Sequence, residues 1–80
     1  MMSEKKINDI LMEIAFLEKP PLFDADLKEN LGIDSLKKVE LIVELEDSFN
    51  ISIDENDLDP QNIKTVRDIH NLINKYIERN

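Results

Sequence analysis

Residues 33–49, IDSLKKVELIVELEDSF, give the strongest helix signal in the chain and decide its fold class. The run from Ser35 to Phe49 has no Gly or Pro and is rich in Leu, Glu, Val and Lys. Asp34 stands directly before this run as a suitable N-cap. We therefore predict a helix over residues 35–49. Projected at about 100° per residue, its buried face comprises Leu41, Ile42, Leu45 and Phe49.

Upstream, apolar residues at three- and four-residue spacing predict a first amphipathic helix over residues 3–18, with Ser3 as its N-cap. Pro20 and Pro21 must end that helix by about Lys19, because proline removes backbone donors and fixes φ. A long loop then leads to the second helix. Its apolar side chains are expected to pack, and they are Leu22, Phe23, Leu27 and Leu31.

Downstream, the segment Ile51-Ser52-Ile53 alternates like a strand but has no partner strand nearby, so we interpret it as an extended connector. A short helix over 55–60, ended by Pro60, is followed by a last helix over 65–78. Thr65 and Asp68 form a variant of the capping box at its start. The sequence therefore predicts one all-α domain spanning 1–80, with three main helices and one short one.

The charge balance restricts the partners. Eighteen acidic against ten basic residues give a formal net charge of −8, which disfavours nucleic acid and anionic membranes and favours a basic protein partner. The chain has no Cys, no signal-peptide pattern and no run near the roughly 20 apolar residues that span a bilayer. We expect a cytoplasmic monomer.

A second apolar set lies on the predicted helix 35–49, away from its buried face. Leu36, Val39 and Val43 form this strip, and its acidic rim comprises Glu40, Glu46 and Asp47. Either another element covers the strip, or it is exposed and binds a partner that brings aliphatic side chains ringed by Lys and Arg.

Ser35 occupies the helix N-terminus, where free backbone N–H groups and the helix dipole favour an anion such as a phosphodiester. The alternative is a plain capping role. Catalysis by Ser35 is excluded, because the only His, His70, is remote in sequence and the G-x-S-x-G elbow is absent. We expect His70 to be a partly buried structural residue. The acids between Asp54 and Asp59 fail the EF-hand pattern, so weak binding of a divalent ion is the most that they suggest, and we assign no metal ligands.

Across nearly its whole length the chain resembles the acyl carrier proteins and related phosphopantetheine-binding carrier domains. The resemblance depends on the motif LGIDSL at 31–36, on VEL at 39–41 and on Thr65-Val66 with Asp68. It implies a four-helix bundle with one short helix. It also implies that Ser35 carries 4′-phosphopantetheine from coenzyme A, with Asp34 needed by the transferase and Leu36 completing the motif.

The resemblance implies a carrier and no enzyme: acyl groups travel as thioesters on the arm between a phosphopantetheinyl transferase and loading, condensing and processing enzymes with basic docking patches. The partner face would comprise Leu36, Lys37, Val39, Glu40, Val43, Glu46 and Asp47. Relatives in fatty-acid synthesis usually have an acid after the Ser-Leu pair, whereas Lys37 and Lys38 stand here. The lysines pair with the phosphate or Asp34, select other partners in polyketide or peptide pathways, or are surface variation. An unmodified helical adaptor that binds a basic protein is the alternative function.

Overall fold

The computed structural model describes residues 2–59 and 61–79, and the all-α prediction is confirmed within them. Pro60, predicted to end the short helix, lies outside the described residues. The predicted short helix over 55–60 is a single 3-10 turn. The elements in order are α1 (Met2–Ala15), α2 (Ser35–Phe49), the 3-10 turn (Glu55–Leu58) and α3 (Val66–Arg79). Thus α2 covers the predicted residues and α3 is shifted by one.

The first helix differs from its prediction at both ends. Ser3 lies inside α1, so its assignment as N-cap was wrong, and α1 ends at Ala15 instead of residue 18. Phe16 adopts the left-handed conformation with φ 56°. The N–H of Leu17 donates to the carbonyl of Met12 at 2.9 Å, which is the closing hydrogen bond of a Schellman-type end. This local motif ends the helix before the two prolines are reached.

The core forms where α1, α2 and α3 meet, and the long loop between α1 and α2 contributes to it. Leu27 and Ile33 of this loop are buried, whereas Leu22 is 75% and Phe23 40% exposed. The prediction of a packed loop is therefore correct for its second half and wrong for Leu22. The largest fully buried side chains are Ile7, Leu11, Leu27, Ile33, Leu41, Leu45, Ile63, Val66, Ile69 and Ile73.

The start of α3 is fixed by the capping box predicted from the sequence. The N–H of Asp68 donates to the Thr65 hydroxyl at 3.2 Å, and the Asp68 carboxylate accepts from the N–H of Thr65 at 3.1 Å. It also accepts from the N–H of Lys64 at 2.9 Å. Burial alone would raise the pKa of Asp68, but these hydrogen bonds and the nearby Arg67 lower it on balance. The box therefore holds a carboxylate in its charged form.

Residues 51–53 form the extended connector that the sequence predicts, with Ile53 buried and Ile51 half-buried. The described residues contain one isolated antiparallel bridge, between Asp26 and Thr65, and no strand. Two side chains hold the connector in place. The N–H of Ile53 donates to the Glu46 carboxylate at 2.8 Å, and the N–H of Asp54 donates to the Tyr76 hydroxyl at 2.8 Å.

Polar side chains attach the 3-10 turn to α3. The Tyr76 hydroxyl donates to the Asp57 carboxylate, and the Lys75 ammonium lies 2.9 Å from the other oxygen of that carboxylate. The hydrogen bond to Asp57 raises the pKa of Tyr76. The turn itself contributes no fully buried side chain, although Leu58 packs against the core.

Other acids near the 3-10 turn are used locally. Asp54 accepts from the N–H of Asn56 at 2.8 Å, and Asp59 accepts from the N–H of Gln61 at 2.9 Å. These bonds are Asx-type turns, in which a short carboxylate satisfies a backbone donor two residues on. In the part of the chain that the structure describes, no three His, Cys, Asp or Glu side chains converge on a point suited to a metal ion.

His70 is the one buried polar residue among those described, with 4% of its surface exposed. Its Nε2 and the side-chain oxygen of Asn8 share a hydrogen bond of 3.0 Å, and its ring meets that of Phe23 edge-on with centroids 4.8 Å apart. Burial lowers the pKa of His70, against a smaller opposing effect of Glu4. The prediction of a structural imidazole is confirmed.

This burial makes stability depend on pH. Because the pKa of His70 is lowered in the folded protein, the folded protein takes up a proton there only at a lower pH than the unfolded chain, whose ordinary value is 6.5. The contribution of neutral His70 to the free energy of unfolding is therefore fully present above that value. It is lost on acidification, by at most about 1.4 kcal/mol per pH unit.

We expect urea unfolding to show the loss between about pH 7.5 and about pH 5.5, before most carboxylates titrate. The matched variant His70→Gln retains a hydrogen-bonding group but cannot titrate, so its stability should be nearly flat over this window. Equal slopes for the two proteins would contradict the assignment.

Candidate functional site at the start of the second helix

The start of α2 is capped by Asp34 and not by Ser35. Asp34 has extended backbone angles, its carboxylate accepts from the N–H of Lys37 at 2.9 Å, and its carbonyl accepts from the N–H of Lys38 at 2.8 Å. These are the two bonds expected of an N-cap residue. Ser35 is the first helical residue and is exposed. Its hydroxyl is therefore not needed for the cap.

The loop between α1 and α2 fixes the start of α2 through backbone hydrogen bonds and a buried side chain. The N–H of Ile33 donates to the carbonyl of Leu27 at 2.8 Å, and the N–H of Leu27 donates to the carbonyl of Lys64 at 2.8 Å. Ile33 is fully buried, two residues before Ser35. Gly32 has φ 70°, a conformation that side chains with a Cβ rarely adopt, and it turns the chain into this anchor. The position of Ser35 is thus set by buried apolar contacts and backbone hydrogen bonds.

An apolar groove of about 380 Å³ begins at Ser35 and follows α2. One wall belongs to α2, and the opposite wall is formed by the 3-10 turn and the segment before α3. Apolar surface predominates in the lining, with one cation and one carboxylate among the lining residues. The lining residues are Ser35, Lys38, Val39, Ile42, Val43, Glu46, Leu58 and Ile63.

The sequence did not predict this groove. Ile42 was assigned to the buried face of α2, which is correct, but its contribution to a cleft was not apparent. Leu58 and Ile63 were not singled out. A weak signal existed for Ile63, because an apolar residue within the polar stretch before Thr65 must be held by tertiary packing.

The apolar strip on α2 is exposed, which resolves the alternative left open by the sequence. Leu36, Val39 and Val43 are 74%, 60% and 50% exposed. Glu40 and Asp47 are exposed beside them, as the predicted acidic rim requires. An exposed apolar strip with a charged border is typical of a surface that binds another protein.

Glu46 differs from the other two rim residues. It is half-buried, and its carboxylate accepts the hydrogen bond from the N–H of Ile53. It also lines the groove. This carboxylate therefore braces the connector that follows α2, and its part in partner binding stays a prediction.

The two adjacent lysines point to different neighbours. The Lys37 ammonium lies 4.8 Å from the ring centroid of Phe16, within the usual range of a cation–π contact. The Lys38 ammonium donates to the carbonyl of Ile63 at 3.0 Å and is partly buried. Neither side chain pairs with the Asp34 carboxylate among the contacts of the described residues. Phe16 itself is 85% exposed.

A family model described as "Phosphopantetheine attachment site" matches residues 6–73, most of the chain. The chain belongs to the phosphopantetheine-binding acyl carrier family. The carrier is 39% identical to a solved structure of a putative acyl carrier protein from Mycobacterium tuberculosis, with a TM-score of 0.79 and coverage of 89% of this chain and 93% of that one. The fold prediction is thereby confirmed.

The curated relatives are also acyl carrier proteins. The carrier is 37% identical over 75 residues to an acyl carrier protein of Buchnera aphidicola, covering 92% of this chain and 94% of that protein. It is 33% identical over 75 residues to that of Phytoplasma mali, covering 92% and 87%. It is also 37% identical over 76 residues to the chloroplastic acyl carrier protein 4 of Arabidopsis thaliana, covering 94% of this chain but only 54% of that longer protein.

Membership of the family confirms that the chain is a carrier and not an enzyme, with covalently attached 4′-phosphopantetheine as its prosthetic group. His70 is buried in the core and distant in sequence from the start of α2. No described helix is long and apolar enough to cross a membrane.

The cap at Asp34 can be tested separately from any role of its charge. Asp34→Ala removes the acceptor for the N–H of Lys37 and should lower the free energy of unfolding by about 0.5–2 kcal/mol. Asp34→Asn retains an equally good capping oxygen, and we expect a loss of about 0.5 kcal/mol or less. Urea unfolding monitored by circular dichroism measures both. A large loss for Asn would show that the carboxylate charge, and not the cap, stabilises α2.

Proposed function

We propose that the Ser35 hydroxyl is the attachment point of the 4′-phosphopantetheine arm. The observation that carries this proposal is its placement: Ser35 is exposed, begins α2 and lies at the mouth of the apolar groove. The residues fit the group, because the helix N-terminus favours the negative charge of a phosphodiester and the groove offers apolar surface next to it.

The attachment is a phosphoryl transfer from coenzyme A. The Ser35 oxygen forms a bond to the phosphorus that bears pantetheine, the bond between the two phosphates of coenzyme A breaks, and adenosine 3′,5′-bisphosphate leaves. A base on the phosphopantetheinyl transferase accepts the hydroxyl proton. One oxygen of the Asp34 carboxylate accepts the cap bond from the N–H of Lys37, which leaves its second oxygen for the transferase.

Once attached, the arm supplies a thiol that holds acyl groups as thioesters, which explains how a chain without Cys performs this task. The groove residues Val39, Ile42 and Ile63 offer apolar contact to an acyl chain and exclude water from it. We infer an acyl cargo with substantial aliphatic surface, in fatty-acid or specialised polyketide-type or peptide-type biosynthesis.

The strip formed by Leu36, Val39 and Val43 provides the docking surface for the partner enzymes. We propose that the transferase and the loading, condensing and processing enzymes bring basic residues to Glu40 and Asp47 and aliphatic residues to the strip. Lys37 borders this surface and discriminates among partners by its charge. A monomeric state and a cytoplasmic location remain predictions.

Attachment is tested by intact-mass analysis after incubation with coenzyme A and a broad-specificity phosphopantetheinyl transferase. The wild-type chain should gain the mass of one phosphopantetheine, and Ser35→Ala should gain none. Ser48→Ala, which alters another serine of α2, is the matched control and should be modified like the wild type.

Addition of the arm to Ser35→Ala would refute the proposal. A wild-type chain that remained unmodified but bound its partners fully would favour the alternative of a helical adaptor.

Docking through the acidic rim is tested by the rate of that modification. Glu40→Gln and Asp47→Asn should each lower kcat/KM of the transferase by about two- to fivefold at low ionic strength, the effect of one exposed charge pair. The difference should shrink as salt is added, because exposed charges are screened.

Glu78→Gln, an exposed carboxylate in the last turn of α3, removes the same charge elsewhere. It is the matched control. If all three variants were slowed equally, the effect would come from net charge and the assigned rim would be wrong.

A further inference from the structure

Lys38 is the cation of the groove beside Ser35. The two residues are three apart on α2, which places them on one side of the helix as neighbours, and both line the groove. The Lys38 ammonium is fixed at 3.0 Å from the carbonyl of Ile63, on the opposite wall. Its position is thus defined by the fold and not by a freely rotating side chain.

The charge of Lys38 has no carboxylate partner within the described residues. The ion pairs there are between Lys5 and Asp9 and between Lys75 and Asp57. The first turn of α2 contains no acidic residue, and a cation near a helix N-terminus opposes the helix dipole. Helix stability therefore does not account for Lys38, whereas an anion next to it would.

Lys37 provides the contrast. It follows the same Ser-Leu pair, carries the same charge and is turned by about 100° around the helix axis. Its ammonium lies over the Phe16 ring, and it is absent from the lining of the groove. The sequence alone did not distinguish the two lysines as partners of a phosphate, but their contacts do.

We propose that Lys38 is a positioning residue that binds the phosphodiester formed on Ser35 and directs the arm into the groove. The inference rests on the proposed attachment at Ser35. An ammonium has three N–H donors, of which the carbonyl of Ile63 takes one, so two remain for the phosphodiester oxygens. Hydrogen bonds between an ammonium and a phosphate oxygen are charge-assisted and stronger than neutral ones.

Binding at Lys38 would restrict the positions that the arm occupies. A phosphodiester held at Lys38 would lie beside Val39, Ile42 and Ile63, which line the same groove and offer apolar contact to the attached arm. A partner enzyme that binds the phosphodiester would then compete with Lys38 for it. The residue couples docking to release without touching the reacting thioester.

The test uses the modified protein and phosphorus NMR. Wild type, Lys38→Met and the matched control Lys37→Met are each converted to the phosphopantetheine form, which intact mass verifies. The relaxation of the phosphodiester signal reports how tightly that group follows the tumbling of the protein.

We expect Lys38→Met to lower the ratio of bound to free phosphodiester by about two- to fivefold, the range for one partly exposed charge pair. Lys37→Met should match the wild type, and Lys38→Arg should restore most of the restriction. Added salt should mobilise the wild-type phosphodiester towards the level of Lys38→Met.

Equal relaxation in all three proteins would overturn the role of Lys38 while leaving attachment intact. So would equal effects of the two Met variants, which would reflect net charge alone. A lower melting temperature of Lys38→Met with unchanged phosphorus relaxation would reduce Lys38 to a structural link to Ile63. A wild-type chain that gained no mass would overturn the attachment at Ser35 and, with it, the role of Lys38.

Discussion

The placement of α2 depends on the anchoring of Ile33. Its buried side chain and its hydrogen bond to Leu27 fix the chain just before the helix starts, and Leu27 is tied in turn to Lys64, before α3. The helix start, the groove beside it and the far wall of that groove therefore share one buried junction. An exposed serine can be held this firmly in an 80-residue protein because its neighbours in sequence, and not the serine itself, are in the core.

Local sequence signals predicted the start of α2 and the start of α3 well. Asp34 caps α2 and Thr65 with Asp68 opens α3, each within three residues of the helix end it controls. The end of α1 was missed for the opposite reason. An aromatic residue rarely adopts the left-handed conformation seen at Phe16, so residue type gave no warning, and the prolines downstream suggested a later end.

The candidate site was only partly predictable. The position of Ser35, its cap and the apolar strip follow from one helix and a known motif, whereas the exposure of the strip was known only from the structure. The groove requires Leu58 and Ile63, which tertiary packing brings against α2. Likewise Lys37 and Lys38 are the same residue type in adjacent positions. Only their contacts distinguish them: Lys37 lies over the Phe16 ring, and Lys38 donates to the Ile63 carbonyl. Residue type determines which interactions are possible at this site, and tertiary packing determines which of them form.

The attachment of the 3-10 turn gives the groove two walls of different stiffness. The wall on α2 has Leu41 and Leu45 behind it in the core, so moving it would disrupt the interior. The wall at Leu58 belongs to a turn with no fully buried side chain, tied to α3 through Asp57, Tyr76 and Lys75. Such contacts exchange with water at far smaller cost than apolar core. The 3-10 turn is therefore the part of the groove wall that the apolar core constrains least.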